Sequence, residues 1–340
     1  MTTRRSTLAL LGAAVLSASG LSACGDGDAA AAGRQATELR YQGSVGTVTP
    51  AELAEDLGYL GDVKLKWIGN TISGPQDIQA ATTGDIDFGG AFNGAIVKLA
   101  ANRAPIKAVI GYYGVDKDSY IGFYVLDGSP ITSPKDLIGK KIGVNTLGAH
   151  AEAITKTYLS RAGLSDAEIQ QVELVVVPPV NTEQSLRQRQ IDVAQLGGTL
   201  RDKALDRGGI HPLYTDFELL GPFTAGSYVF REDFLKKNPD TVKTFVSGVG
   251  KAIEWSRSTP REQVIARFRQ ILAERARNED DSQLKYWKSY GVNGRAGVIE
   301  EKEFATWIEW LTGTGELKGK NVEATDIFTN RYNTAAGGAA

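Results

Sequence analysis

Apolar residues along the chain fall into short runs that switch between strand and helix spacing. Residues 38–42 read as a short strand, followed by the turn-like Gly43-Ser44-Val45-Gly46. Over 50–60, Leu53, Ala54 and Leu57 recur at helical spacing, with Thr49 as cap and Pro50 at the first helical position. Residues 63–68 alternate and predict a strand. Gly74-Pro75 opens a helix over 76–82, and 86–88 is a third strand ending at Gly89-Gly90. A helix over 93–101 and a strand over 106–113 follow. Strands alternating with helices predict α/β units around a largely parallel sheet.

The alternation then restarts. Strands are expected at 120–126, 141–144, 172–177, 191–194 and 226–230, with a capped turn at 133–137 and helices over 148–162 and 182–189. Beyond 230 the pattern is nearly all helical, over 239–257, 260–275, 280–290 and 300–311. Glu279-Asp280-Asp281 then reads as an acidic helix start, favourable with the helix dipole. No internal repeat is visible, and 335–340 reads as a frayed tail.

Composition narrows the function. The 340 residues carry 38 Lys and Arg against 40 Asp and Glu, a formal net charge of −2, with 42% hydrophobic and 23% charged residues. That is a globular balance with room for about two domains at roughly 150 residues each. A slightly acidic chain lacks the basic surface that phosphate contacts need, which argues against nucleic-acid binding. One cysteine and two histidines leave no disulfide framework within the chain, no Cys-rich zinc site and no iron–sulfur cluster. No Walker A loop, no GxGxxG after a strand and no metal-ligand spacing of His, Asp and Glu stands out, so neither metal nor cofactor is expected.

At the amino terminus, Arg4 and Arg5 precede an uncharged, mostly apolar run over 7–21. The run is short and rich in Ala, Gly and Ser for a membrane span. It ends in Leu21-Ser22-Ala23-Cys24-Gly25, which resembles the lipobox of bacterial lipoproteins. The resemblance implies cleavage before Cys24, a lipid on its sulfur, and a chain anchored on the extracytoplasmic face of the cell membrane. Two or three acyl chains anchor stably where one is marginal. Residues 1–23 are then a signal peptide and 24–37 a lipidated tether. Thr3-Arg4-Arg5-Ser6-Thr7-Leu8 is similar to a twin-arginine signal, with Thr7 where Phe is usual, so both export routes stay open.

Four stretches carry a wider likeness. They are Gly84-Asp85-Ile86-Asp87-Phe88-Gly89, the run Asp127-Gly128-Ser129-Pro130-Ile131-Thr132-Ser133-Pro134-Lys135-Asp136-Leu137-Ile138-Gly139-Lys140-Lys141-Ile142-Gly143-Val144, Arg231-Glu232-Asp233-Phe234-Leu235-Lys236-Lys237-Asn238-Pro239-Asp240, and the aromatic tail over 304–332. In this order and spacing the chain resembles the solute-binding proteins of ABC importers, in the branch serving alkanesulfonates, nitrate and taurine. The resemblance implies an α/β, two-lobed periplasmic-binding-protein type 2 fold, two α/β domains joined by two crossing hinge strands. Lobe 1 would comprise 38–126 and 225–334, and lobe 2 would be 127–224. The crossings would be 122–125 and 226–229. The implied partners are a small-molecule ligand, the transmembrane subunits of an ABC permease, and the lipid bilayer through acylated Cys24, with the chain itself a monomer.

In open α/β sheets a ligand lies outside the carboxyl ends of the strands, so the loops after each strand are the candidate site. These are Gly43, Ser44 and Val45 after the first strand, and Ser73 and Gly74 after the second. Ala91, Phe92 and Asn93 follow the third, and Thr146, Gly148, Ala149 and His150 follow the strand at 141–144. Small residues there let backbone approach a ligand, and a helix start offers unpaired N–H groups. The family often has a hydroxyl residue where this chain has Ala149, and Thr146 could supply one instead. Tyr112 and Tyr113 end the fourth strand; either could be core, and because neighbours alternate at most one is expected to face a ligand. Gln195 and Gly197 stand where many sulfonate binders have a Trp-containing "D-A-W-x-x-W-x-P" stretch. This chain has no Trp there, which predicts a roomier, more polar pocket with Gln195 as a hydrogen-bond partner. None of these loops carries Lys or Arg.

The expected role is therefore capture of a small anionic organic ligand, an aliphatic sulfonate, nitrate or taurine-like, without chemical conversion. A neutral heteroaromatic such as a thiamine precursor is the alternative ligand. A cytosolic enzyme of the same architecture, such as a pyrimidine-precursor synthase or a dehydratase, is the alternative function, and a membrane-tethered receptor for a sensor protein is a weaker third. His150 is the one residue that invites an enzyme reading, but no nucleophile and orienting acid stand beside it in the local sequence. His211, beside Pro212, reads as an exposed loop residue.

Overall fold

The computed structural model describes residues 35–337, so Cys24, the signal peptide and most of the tether lie outside the described residues. The first elements are β1 (Glu38–Gly43), α1 (Pro50–Asp56), β2 (Lys64–Asn70), α2 (Gly74–Thr83), β3 (Phe88–Phe92), α3 (Asn93–Ala101) and β4 (Ile106–Val115). Then come β5 (Ile121–Leu126), β6 (Lys141–Val144), α4 (His150–Arg161), α5 (Asp166–Ile169), β7 (Glu173–Val176) and α6 (Pro179–Arg187). Next are β8 (Val193–Gly197), α7 (Gly198–Asp206), β9 (Ile210–Thr215), α8 (Asp216–Leu220) and β10 (Phe223–Arg231). The remaining α-helices are α9 (Glu232–Lys237), α10 (Pro239–Ser258), α11 (Arg261–Glu274), α12 (Lys302–Gly313) and α13 (Ala324–Ile327).

Three sheets organise these elements. β1 and β2 pair in parallel. The Asp87 N–H donates to Arg40 O at 2.9 Å, and Arg40 N–H donates to Asp87 Oδ2 at 2.7 Å, which ties β1 to the entrance of β3. The second sheet runs β3-β10-β4, with β10 antiparallel to both neighbours. The third runs β7-β6-β8-β5-β9; β6 is parallel to β7 and β8, whereas β5 is antiparallel to β8 and β9. The expected α/β alternation is present, but two central strands, β5 and β10, run against their neighbours.

Local sequence accounts for the element ends. Thr49 and Glu52 form a reciprocal capping box at α1, with Pro50 at the first position. Ser133 and Asp136 do the same for the 3-10 turn Pro134–Leu137. α10 presents Val242, Phe245, Val246, Val249 and Ile253 on one buried stripe at helical spacing. Phe245 packs against Phe88 at 4.6 Å and Phe230 at 5.3 Å between ring centroids, in the core beneath β3 and β10. Each such ring contributes about 1.5–3 kcal/mol by leaving water.

Several expectations need correction. The runs 122–125 and 226–229 are not crossings: the first lies inside β5 of the five-stranded sheet, and the second inside β10 of the three-stranded sheet. The chain passes between these sheets through 116–120 and returns through 221–222. The helix expected over 280–290 is a single 3-10 turn, Leu284–Tyr286. Glu279 is accordingly no helix start; its carboxylate accepts from Gly46 N–H at 2.8 Å and pairs with Arg275. The sequence pattern does not predict α5, α7, α8, α9, α13 or β9.

Asn93, a candidate ligand residue, is fully buried and turned into the core. Its Nδ2 donates to Thr224 O and Glu303 O, each at 3.3 Å, and its Oδ1 accepts from Ser227 Oγ at 2.8 Å. It thus braces α3 against β10 and α12. Asn93→Ala would leave that hydroxyl and two carbonyls without this partner, with an expected stability loss of about 1–3 kcal/mol. Urea denaturation should show a lower midpoint with an unchanged slope.

Candidate functional site

A cavity of about 380 Å³ lies where the carboxyl ends of β3, β6 and β8 meet the outer part of β4. Its lining includes Gly74, Ala91, Phe92, Tyr112 and Tyr113 from the side of the three-stranded sheet. Thr146, Ala149, His150, Gln195 and Gly197 line it from the side of the five-stranded sheet. The remaining candidates stand elsewhere. Gly43, Ser44 and Val45 do not line it, because their loop is drawn towards the segment after α11. Gly46 N–H reaches Glu279, Gln283 Nε2 donates to Gly46 O at 3.2 Å, and Arg275 donates to Thr47 O at 3.0 Å. Ser73 caps α2, with its Oγ 3.4 Å from Thr146 Oγ1, at the edge of the cavity. Gly148 turns the backbone at a φ of 71° and donates its N–H to Glu152 Oε2 at 2.7 Å.

Both tyrosines face the cavity, against the expectation of one. In the pairing of β4 with β10, Tyr113 stands opposite Gly226 and Gly111 opposite Ser227, so Tyr112 has no partner. This extra residue is a β-bulge, which breaks the alternation of faces. Two glycines make room for the rings. A Cβ on Gly226 would lie 2.0 Å from the Tyr113 ring, and one on Gly90 would lie 2.6 Å from the Tyr112 ring. Tyr112 stacks on Tyr228 at 4.1 Å and meets Tyr113 edge-on at 4.9 Å. Burial pushes the ionisation of both phenols upwards, so both remain neutral hydroxyls at physiological pH.

Helix starts supply the polar part of the wall. α3, α4 and α7 begin beside the lining residues Phe92, Ala149 and Gly197, and none of the three has a side-chain cap. First-turn N–H groups have no intrahelical partner, and a helix start carries a partial positive charge. Among the described residues the lining includes no Lys or Arg. His150, 5% exposed, stacks on Phe92 at 4.9 Å and an interplanar angle of 5°. Its Nε2 is 3.2 Å from Asp216 Oδ2, but the atoms are not aligned for a hydrogen bond, and its Nδ1 has no partner among the described residues. Asp216, itself buried, accepts from Ile121 N–H at 2.9 Å.

Sequence reasoning missed the wall built by the passage 116–120 and by α7. Ser119, Tyr120, Ile121, Gly198 and Leu200 all line the cavity. Arg201, whose side chain is 1% exposed, lies over the Tyr120 ring at 3.8 Å and donates to Asp118 O and Tyr120 O at 2.9 and 3.0 Å. Asp116 Oδ1 accepts from the N–H groups of Asp118 and Ser119. That Asp-led turn was the available signal for a connection at this point.

Residues 47–263 match the family model described as NMT1/THI5 like. The chain is 24% identical to a binding protein of Brucella abortus (strain 2308) over 263 residues, 75% of this chain and 73% of that one. It is 27% identical to the taurine-binding periplasmic protein of Escherichia coli (strain K12) over 178 residues, 51% of this chain and 52% of that one. Its fold is similar to the alkanesulfonate-binding protein SsuA from Xanthomonas axonopodis pv. citri bound to MOPS, with a TM-score of 0.68, 18% identity, and coverage of 87% and 99% of the two chains.

Behind the cavity, Asp77 Oδ2 accepts from Gly90 N–H at 2.7 Å, fixing the backbone beneath Tyr112. Burial pushes this carboxyl from its ordinary 3.8 up to about 7, the Gly90 N–H opposing the shift. The folded chain therefore holds the proton more tightly than the unfolded chain does. The resulting stability is fully present below pH 3.8 and is lost as pH rises through about 7. Asp77→Asn, which cannot ionise, should flatten this part of the stability profile, gaining on the parent between pH 5 and 8 in urea melts on the order of 1–3 kcal/mol.

Proposed function

The chain belongs to the NMT1/THI5-like family, and on that premise we propose that it is an extracytoplasmic solute-binding protein of an ABC importer. Two lobes, carried by the three-stranded and five-stranded sheets, take a small organic ligand between them and deliver it to the permease. Acylated Cys24 holds the chain at the membrane. The observation that carries this reading is the cavity itself, walled from both sheets at strand ends and helix starts. The relatives' names, a taurine-binding and an alkanesulfonate-binding protein among them, support the same role. No helix among the described residues is long and apolar enough to cross a membrane.

The ligand is captured and not converted. Lobes that contribute hydrogen bonds from both sides favour the closed state by the difference in ligand affinity between closed and open forms. The proposed head group is a sulfonate, nitrate or taurine-like anion, whose oxygens accept from first-turn N–H groups of α3, α4 and α7, with Thr146 and Gln195 adding side-chain partners. A second reading is a neutral planar heteroaromatic. It is favoured by the rings of Phe92, Tyr112, Tyr113 and Tyr120 and by the lack of Lys or Arg in the lining. His150 serves as a wall residue in either case; its neighbours are rings and a carboxylate, with no hydroxyl or thiol nucleophile hydrogen-bonded to it.

A thermal-shift panel of taurine, MOPS, nitrate and a neutral aminopyrimidine tests both readings. A true ligand at about a hundred times its Kd should stabilise the chain by roughly 2.7 kcal/mol and leave the other compounds without effect. Mass spectrometry of the hit after long incubation should recover it intact. Consumption of the compound would overturn the binding role in favour of an enzyme.

A further inference from the structure

Beside the cavity, α7 faces the segment 279–288, which belongs to the chain returning from the three-stranded sheet. Side chains along α7 engage it in sequence. Thr199 Oγ1 donates to Gln283 Oε1 at 3.3 Å, and Lys203 Nζ donates to Ser282 Oγ at 3.4 Å. Lys203 also stands 3.9 Å from Asp280, and Lys288 Nζ lies 2.9 Å from Asp202 Oδ2. The Tyr286 hydroxyl donates to Asp206 Oδ2 at 2.7 Å. Gln283 does double service, because its Nε2 donates to Gly46 O, so one amide joins the loop after β1 to α7.

We infer that α7 and the segment 279–288 form a polar clasp that holds the two sheets together over the cavity before any ligand arrives. The contacts fit that task. They alternate in sign along the helix, Lys203 facing Asp280 and Asp202 facing Lys288, which sets one register. In each ion pair the member on 279–288 is the more exposed one: the side chains of Asp280 and Lys288 are 70% and 42% accessible, those of Lys203 and Asp202 29% and 11%. Pairs open to water on one side are individually weak and screened by salt, so the clasp biases closure without locking it. α7 also carries its cavity wall with it, since Gly198 and Leu200 line the cavity and Arg201 grips the passage at Asp118 and Tyr120. Affinity is then set partly by residues that never touch a ligand.

The test uses the ligand-free full chain with spin labels on two exposed positions, Lys243 of α10 and Ala167 of α5, and reads their separation by pulsed electron resonance. The parent at low salt should show a dominant short distance. Lys203→Ala with Gln283→Ala and Lys288→Ala should move weight to a longer one, and so should about 1 M salt, where the screening length falls to about 3 Å. Urea melts of the triple variant should match the parent, which separates opening from unfolding. Identical distance distributions in parent and variant, or a dominant long distance in the parent at low salt, would overturn the clasp. No ligand enters the measurement, so its failure leaves the solute-binding reading standing, and the failure of that reading leaves the clasp standing.

Discussion

The hydrogen-bond ladder that seats β10 between β3 and β4 is the constraint on which the rest of the molecule depends. β3 and β4 have no direct ladder to each other; they share a sheet because a strand from 223–231 comes back to lie between them. The whole five-stranded sheet is therefore an excursion whose two ends are held a few residues apart. The same ladder builds the site. It places Gly226 beneath one tyrosine, Tyr228 against the other, and Ser227 on Asn93 at the start of α3. The aromatic wall, the brace of α3 and the closeness of the two passages follow from one strand's position.

Most of this fold could be read from the chain wherever local pattern and tertiary role agree. The helix over 93–101 and the strand over 141–144 have the bounds their patterns predict. Reading failed where tertiary context overrides a local signal. Pro212 argues against a strand, yet β9 pairs only with β5 at the sheet edge, where a missing N–H is tolerated. Gly197-Gly198 looks like a loop, but Gly198 takes a left-handed φ and begins α7. Residues 280–290 look helical, but their side chains are committed to α7 and to the loop after β1. The site was half legible for the same reason. Loops after strands were the right place to look, whereas a one-residue bulge and a passage shifted by several residues leave no periodic trace.

The site's electrostatics come from backbone more than from side chains. Three helix starts without side-chain caps offer N–H donors, and the charged groups behind the wall include two buried carboxylates, Asp77 and Asp216, and the Arg201 guanidinium over Tyr120, with His150 in the lining. Such a wall favours ligands that bring acceptor oxygens or flat rings over ligands that need a fixed cation. It also keeps conformational cost low, because backbone donors held in helices lose little freedom when they bind.

The glycines under the two tyrosines have a consequence for how such a receptor can diversify. Any side chain at Gly90 or Gly226 would drive into an aromatic ring, so the sheet half of the wall is frozen. Thr146 on the connection after β6, Ala149 at the start of α4 and Gln195 within β8 also line the cavity, and each already carries a Cβ. The lining can therefore change shape at those three positions without forcing a new Cβ into a ring, whereas Gly90 and Gly226 hold the two tyrosines in place.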